Sequence, residues 1–516
     1  MLRAAGSISA FTLLSRIFGL VRDSLMTTTL GAGWVQGTFL LAWTLPNLMR
    51  RLLGEGALSA SFVPAYAAAK KRGQEEQAKK LLAQVAGAVT TLLLPICLTI
   101  AVASLLVPAE WLPAPEKGGV EAMRLLLLLN AILFPYALPV CLTAVLSGAL
   151  NTLGAFALPA AVPIALNVFW IAALLAAPAL GFTIDTEIAT FVAVCLAVGG
   201  VAQLGLVLWP LWRLGELPRI RLGLPKRGTA AFAVFAAMGP TVLGMSLNQI
   251  SSLLDQLMAY AIIAPGAVTY IYLANRLLLF PHALTAMAVA VAVFPKLAAD
   301  ATEDDRGTLR RTLDQAGGAT LFVTMPASFG LIVLAEDIVR VLFEGGQFTA
   351  ADVEPTVWTC SCLVAGLPFL GLAQLYARAF YAVGDMRTPP RAAMRLVVAN
   401  AVLNVVLLAT TNLGTAGLAL SSSLSSLGNC VILARAFRRH APQLRTPWGP
   451  WLRATVATAA MCAVLPLLRI AADDASRMTR ALGNVALPIG VGMLVYCLVQ
   501  WLLRSPEMQL LRRRRR

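Results

Sequence analysis

Residues Ser15–Tyr66 read SRIFGLVRDSLMTTTLGAGWVQGTFLLAWTLPNLMRRLLGEGALSASFVPAY. The apolar residues here are dense enough to enter a bilayer, yet the stretch also carries Arg16, Arg22, Asp23, Arg50, Arg51 and Glu55. A charge at the bilayer centre costs roughly 2.5–3.5 kcal/mol on insertion scales. So many charges either sit at the water interface or line a wet cavity that handles something charged.

The chain around this stretch has 516 residues, 59% hydrophobic and 13% charged. A soluble protein would carry about 25% charged residues. Apolar runs of about 18 residues or more recur along the whole length, which predicts an all-α integral membrane protein. Fourteen helices are expected, near 5–29, 34–54, 82–108, 121–149, 155–179, 187–213, 229–262, 267–296, 312–335, 351–383, 390–411, 414–438, 450–471 and 480–504. The first two and the eighth are the least apolar. The net charge of +16 is scattered through short connections between apolar runs, so it reads as membrane topology and not as nucleic-acid binding. The run Arg512–Arg516 is either an orientation anchor or an anionic-lipid contact. The eight cysteines have no CxxC spacing and read as small packing residues. The N-terminus enters the charged first helix directly, with no cleavable signal pattern.

Lys and Arg concentrate in every second connection, from Lys70–Lys80 through Arg213–Arg227, Lys296–Arg311, Arg387–Arg391 and Arg435–Arg445 to the C-terminus. The positive-inside rule then places both termini in the cytoplasm and makes the helix number even. An internal repeat is visible as well. Val63-Pro64 returns as Phe294-Pro295 and Gln84–Gly87 as Gln315–Gly318, both 231 residues on; Gly154 and Pro159 return as Gly384 and Pro389 at 230. The offset spans six helices, so the copies point the same way. Two six-helix lobes related by a pseudo-two-fold along the membrane normal are expected, a parallel repeat of transporter type. The lobes would cover 1–220 and 221–445, with 446–516 holding two further helices and a basic tail.

Helical geometry sorts the charged residues. Arg16 and Asp23 are seven apart and nearly eclipsed, whereas Arg22 lies about 120° round from Arg16. Either Arg16 pairs with Asp23 and leaves Arg22 unpaired, or both arginines flank one cavity at a bend near Gly19. Arg51 and Glu55 form an i, i+4 pair, which leaves Arg50 as the better ligand of that couple or as an interfacial arginine. Arg276 sits roughly 10 Å inside the eighth helix, with no acid within four residues; such an arginine faces a polar cavity sooner than lipid. Asp255 shares a polar stripe with Asn248, Gln249, Ser252 and Gln256. It either pairs with a cavity arginine, binds a cation or serves helix–helix hydrogen bonding. His282 is a core histidine or a proton relay. Arginine in excess over acid points to an anionic substrate, since the guanidinium fork suits phosphate oxygens. No metal cluster, nucleophile–His–acid set or P-loop is visible, so neither an enzyme nor an ATP-driven pump is expected.

Ser15-Arg16, Gly19, Arg22-Asp23, Gly31-Ala-Gly33, Leu45-Pro-Asn47, Arg50-Arg51, Gly54–Ala57 and Phe62-Val-Pro64 resemble the lipid II flippase (MurJ/MviN) family of the multidrug/oligosaccharidyl-lipid/polysaccharide exporter superfamily. Asn275-Arg276-Leu277 with Phe280-Pro281, and Arg378–Tyr381 with Gly384-Asp385 and Thr388-Pro389, extend the likeness over the whole chain. It implies fourteen helices, two lobes around a cationic cavity, and a tail groove built by helices 13 and 14. It also implies transport of lipid II, the undecaprenyl-diphosphate-linked muropeptide, to the outer leaflet of the bacterial inner membrane. Arg16, Arg22, Arg50 and Arg276 match the arginines that face the diphosphate. Asp23, Glu55 and Asp255 are the candidates for gating or ion coupling. The family often has an acid early in the second helix; here Trp34-Val-Gln-Gly37 has none, so that role is lost, moved to Glu55 or Asp255, or taken by Gln36.

The expected protein is a monomeric lipid flippase that works by alternating access. It needs no cofactor and is coupled to the membrane potential or to a monovalent ion. A flippase for another polyprenyl-diphosphate oligosaccharide, and a drug or cation antiporter of the same superfamily, are the alternatives.

Overall fold

The computed structural model describes residues 2–52, 58–115, 118–284, 286–302, 306–440, 448–468 and 477–508, with side chains except at 2–10, 240–245, 248, 283–284, 286–292, 302 and 306. Among the described residues the chain is helical throughout apart from one isolated bridge, Gly345 to Phe348. The helices of the first half are α1 (Leu2–Leu30), α2 (Trp34–Met49), α3 (Ser59–Lys71), α4 (Glu75–Leu106), α5 (Gly119–Leu133), α6 (Ala137–Thr152), α7 (Ala157–Ala179), α8 (Asp185–Arg213) and α9 (Ala230–Met258). Those of the second half are α10 (Ala267–Leu284), α11 (Ala286–Thr302), α12 (Arg306–Phe343), α13 (Ala350–Val364), α14 (Leu367–Ala382), α15 (Thr388–Thr410), α16 (Thr415–Phe437), α17 (Trp448–Val464), α18 (Arg477–Arg480) and α19 (Leu487–Leu502).

Among the described residues, fourteen spans result when α2/α3, α5/α6, α10/α11, α13/α14 and α18/α19 are each counted once. The breaks have local causes. A 3₁₀ turn at Phe134–Tyr136 separates α5 from α6 at Pro135, where the missing N–H removes a helical bond. The helix widens to a π-turn at Arg50–Leu52, just after Pro46. Ten helices are long and apolar enough to cross a membrane among the described residues. None of the ten carries Arg16, Arg22, Arg50, Asp255 or Arg276.

The chain divides into two compact units, Met1–Thr269 and Tyr270–Arg516. In lipid no aqueous drive brings helices together, so close packing and interhelical hydrogen bonds must do so. In the first unit α1 runs along α7, α7 along α8, and α6 along α8 and α4. Its centre is aromatic: Trp170 packs on Phe39 at 5.5 Å and edge-on to Trp43 at 5.1 Å, and Trp43 reaches Tyr136 at 5.1 Å. Helix α9 packs on α2, α3 and α4, so this unit extends past residue 220. Thr44 Oγ1 donates to Gln256 Oε1 at 2.7 Å, and Thr38 and Tyr260 share a hydrogen bond of 3.2 Å. Gly37 is needed there, because a Cβ would overlap the carbonyl of Pro265.

In the second unit α11, α12, α14 and α16 enclose a core that includes Phe380 and Phe437, ring centroids 5.1 Å apart. Helices α17 and α19 pack on each other, and α17 lies along α12. The Tyr496 hydroxyl donates to the Phe322 carbonyl at 2.7 Å.

The internal repeat is visible in backbone detail. Gly154 ends α6 at φ +84° and Gly384 ends α14 at φ +82°. Each sits in the same six-residue bonding pattern: Ala155 N–H donates to Leu150, and Asp385 N–H to Phe380, both at 2.9 Å. This is the left-handed helix terminus that glycine favours. Gly87 and Gly318 correspond as well. A Cβ on Gly87 would strike the Arg221 carbonyl; one on Gly318 would lie 2.6 Å from Glu507 Oε1 and 3.4 Å from Pro450 Cγ.

Candidate functional site: arginines on α1, α2 and α10

Helix α1 places Arg22 and Asp23 in a protein interior, at 5% and 4% exposure. Charges this deep must be paired and hydrogen-bonded. Arg22 Nη2 meets Asp23 Oδ1 at 2.6 Å and Nε meets the same oxygen at 3.0 Å. Its Nη1 donates to Asn167 Oδ1 on α7 at 2.9 Å, and Asn167 Nδ2 returns a bond to the Ser15 carbonyl at 3.1 Å. The guanidinium also lies over the Trp170 ring, 4.4 Å from its centroid, a favourable cation–π position.

This corrects the pairing read from helical spacing. Asp23 takes Arg22 and not Arg16, and Arg22 is not an unpaired cation. The eclipsed spacing was real, but the long arginine arm folds back to its neighbour, and α7 supplies the second partner. Asn167 was missed. Its signal was present: it is the one amide or charged side chain in the α7 sequence ALPAAVPIALNVFWIAALLAAPA.

Arg16 is half-buried on α1, and among the described residues it has no hydrogen-bond or ion-pair partner. Arg50 caps the end of α2, with Nε and Nη2 both donating to Asn47 Oδ1 at 3.0 and 2.9 Å. Arg51 reaches Gln249 Oε1 of α9 at 3.1 Å. Glu55, expected to neutralise it, lies outside the described residues, as does the Asn248 side chain. Asp255 is half-buried on α9.

Arg276 belongs to the second unit. Its Nε and Nη2 donate to the Tyr272 hydroxyl one turn earlier, at 3.2 and 2.7 Å, with the guanidinium 5.0 Å from that ring's centroid. His282, buried on α10, meets Gln374 Nε2 at 3.2 Å through Nε2, and its Nδ1 has no hydrogen-bond partner. Gln36 is buried at 1% exposure; its Nε2 donates to Thr27 Oγ1 at 3.2 Å while Oε1 has no partner.

The arginines thus differ in kind. Arg22 is held by a carboxylate. Arg50 donates to the Asn47 amide oxygen and Arg276 to the Tyr272 hydroxyl. No group of three or more His, Cys, Asp or Glu able to hold a metal occurs among the described residues.

A family model described as lipid II flippase MurJ matches residues 26–478. The chain belongs to this family. It is 31% identical over 469 residues to the probable lipid II flippase MurJ of Vibrio cholerae, covering 89% of this chain and 87% of the relative. It is also 31% identical over 460 residues to the lipid II flippase MurJ of Burkholderia cenocepacia, covering 88% and 86%. Among solved structures, lipid II flippase MurJ in an inward closed conformation matches with TM-score 0.77 and 24% identity, over 96% of this chain and 99% of that one. An inward-facing multidrug resistance MATE transporter of the MOP superfamily matches with TM-score 0.66 and 15% identity, over 85% and 98%. These structures share the fold. Membership in the flippase family makes this chain a multi-pass protein of the bacterial inner membrane and a transporter, not an enzyme.

Proposed function

We propose that this chain is a lipid II flippase, moving undecaprenyl-diphosphate-linked muropeptide from the inner to the outer leaflet by alternating access. The observation that carries the reading is Arg16: a half-buried guanidinium with no partner among the described residues, on the first helix of a chain from this family. An unpaired charge at such a place calls for an anion from outside the protein. Arg16 makes the first contact with the diphosphate. Arg50 and Arg276 are the further candidate donors to phosphate oxygens, while Arg22 stays bound to Asp23 and Asn167 and holds α1 on α7.

Both termini lie on the inner face in this reading, and a single chain suffices because it contains both repeats. The prenyl tail remains in lipid. Outward movement of a negative headgroup is favoured by an inside-negative potential, by about 2.3 kcal/mol per charge per 100 mV. The absence of an acid at Trp34–Gly37, with Gln36 in its place, favours a second substrate reading: another oligosaccharide on the same polyprenyl diphosphate. Complementation of a strain depleted of its own lipid II flippase separates the two. Growth supports lipid II; no growth from a well-expressed chain that still flips a polyprenyl-diphosphate glycan in proteoliposomes supports the other.

A further inference from the structure

The connection between α8 and α9 is a strap with no helix or strand, reading Leu214-Gly-Glu-Leu-Pro-Arg-Ile-Arg-Leu-Gly-Leu-Pro-Lys-Arg227. Its apolar residues are turned out: Leu217, Ile220, Leu222 and Leu224 are all exposed, Leu222 at 68%. Arg219, Arg221, Lys226 and Arg227 alternate with them and are exposed too. The strap's one acid, Glu216, is buried and occupied by Lys70 at 2.8 Å. The outward surface is therefore apolar and purely cationic.

The strap is fixed at a definite height. The Arg221 carbonyl rests on Gly87 of α4, and Gly223 N–H donates to Thr91 Oγ1 at 2.8 Å. One residue further along α4, at Leu92, begins a series of exposed apolar side chains that continues through Leu94, Ile96, Leu98 and Val102. The strap thus crosses α4 where the lipid-facing belt starts. Helix α8 gives the same level from the other side. Trp209 and Trp212 are exposed immediately before the strap, as aromatic residues are at a membrane interface. Arg213 stacks on Trp209, 4.1 Å from its ring centroid.

We infer that residues 214–227 form a docking surface for anionic lipid headgroups. The leucines and isoleucine enter the headgroup–acyl boundary, and the arginines and lysine bind phosphate oxygens. Topology alone accounts for basic residues on this side of the membrane. It does not account for exposed leucines alternating with them, nor for a glycine that seats the strap at the edge of the lipid belt. Charge complementarity selects the occupant: a surface with four exposed cations and no free acid fits an anionic leaflet. The inference is independent of which lipid-linked substrate is carried.

The test uses full-length protein in nanodiscs. Leu222→Cys is labelled with a water-soluble maleimide, with the unsubstituted chain as the blank for the native cysteines. Labelling should be roughly tenfold slower in discs containing phosphatidylglycerol than in pure phosphatidylcholine, since basic residues are drawn to an anionic surface. The difference should vanish when Arg219→Gln and Arg221→Gln are added, and shrink in high salt. Gly87→Ala, which must displace the Arg221 carbonyl, should reduce it with both arginines intact. Equal labelling in the two lipids overturns the inference. So does protection that persists in detergent micelles, which would mean that protein, from this chain or a second copy, covers the strap.

Discussion

Arg22 Nη1 lies 2.9 Å from Asn167 Oδ1, a bond that joins α1 to α7 across 145 residues of sequence. It gives α1 a fixed register on its neighbour. It also separates two arginines that look alike in sequence: Arg22 is built into the protein, and Arg16 has no partner among the described residues.

Arg22→Ala should therefore destabilise the protein. Removing one member of a buried pair typically costs about 3–5 kcal/mol, because the other charge is stranded. Arg22→Ala with Asp23→Asn should recover part of that loss. Thermal unfolding of the purified protein decides it: if the single and double variants melt together, the pair is not what holds α1.

Arg16→Ala should behave in the opposite way. With no partner among the described residues, its removal strands nothing, so the melting temperature should stay close to that of the parent. Flipping in proteoliposomes should fall by about tenfold or more, and Arg16→Lys should restore only part of it because the planar fork is lost. Unchanged transport in Arg16→Ala would remove this residue from the site.

Gly154→Ala and Gly384→Ala should cost similar amounts, about 1–2 kcal/mol each, because both hold a left-handed backbone. Matching losses of melting temperature would show that the two repeats use the same helix terminus. A loss in one alone would show that the likeness is only local.

Asp385 gives a pH dependence. The Thr388 hydroxyl, supported by the backbone N–H groups of Thr388 and Arg387 and by His440, outweighs burial and holds this carboxyl below its ordinary value of 3.8. A depressed folded-state pKa means the stabilisation is complete above the unfolded value and is lost as pH falls through the folded one. Asp385→Asn keeps an acceptor oxygen but loses the charge that strengthens its bonds to Thr388 and Arg387, so it should lower stability by about 0.5–1 kcal/mol at neutral pH. The gap between variant and parent should close below about pH 4. A constant gap down to pH 3 would mean that ionisation of Asp385 contributes nothing.

Gly37→Ala addresses the start of α2. A Cβ there overlaps the Pro265 carbonyl, and overpacking of this kind costs about 1–3 kcal/mol. The measurable outcome is faster maleimide labelling at Ala32→Cys, beside the same contact, as the turn at 264–266 is pushed away. Unchanged labelling would show that the turn yields without separating from α2.

The helices were legible because each span must bury its own backbone bonds in an apolar run, and that requirement is written residue by residue. The repeat was legible because Gly154 and Gly384 serve the same backbone geometry. Partnerships across helices were not. Helical spacing relates Arg16 to Asp23 on one cylinder, but it is blind to Asn167, whose position beside Arg22 depends on how α7 packs. The same limit applied to Arg51. Gln249, which meets its guanidinium, arrives from a helix nearly two hundred residues away, and no spacing on α2 points to it.

Gly87 and Gly318 occupy equivalent places in the two repeats, and their neighbours tell how the chain outgrew its duplication. On Gly87 lies Arg221, 134 residues later; on Gly318 lie Glu507 and, 132 residues later than the glycine, Pro450. Arg221 and Pro450 each follow the sixth helix of their own copy. One berth thus receives the exit of each half, as an open strap in the first and as the opening turn of α17 in the second. The two helices that have no counterpart in the first half are therefore not an addition attached at an arbitrary point. They begin at the place where, in the first half, the chain passes on to the second.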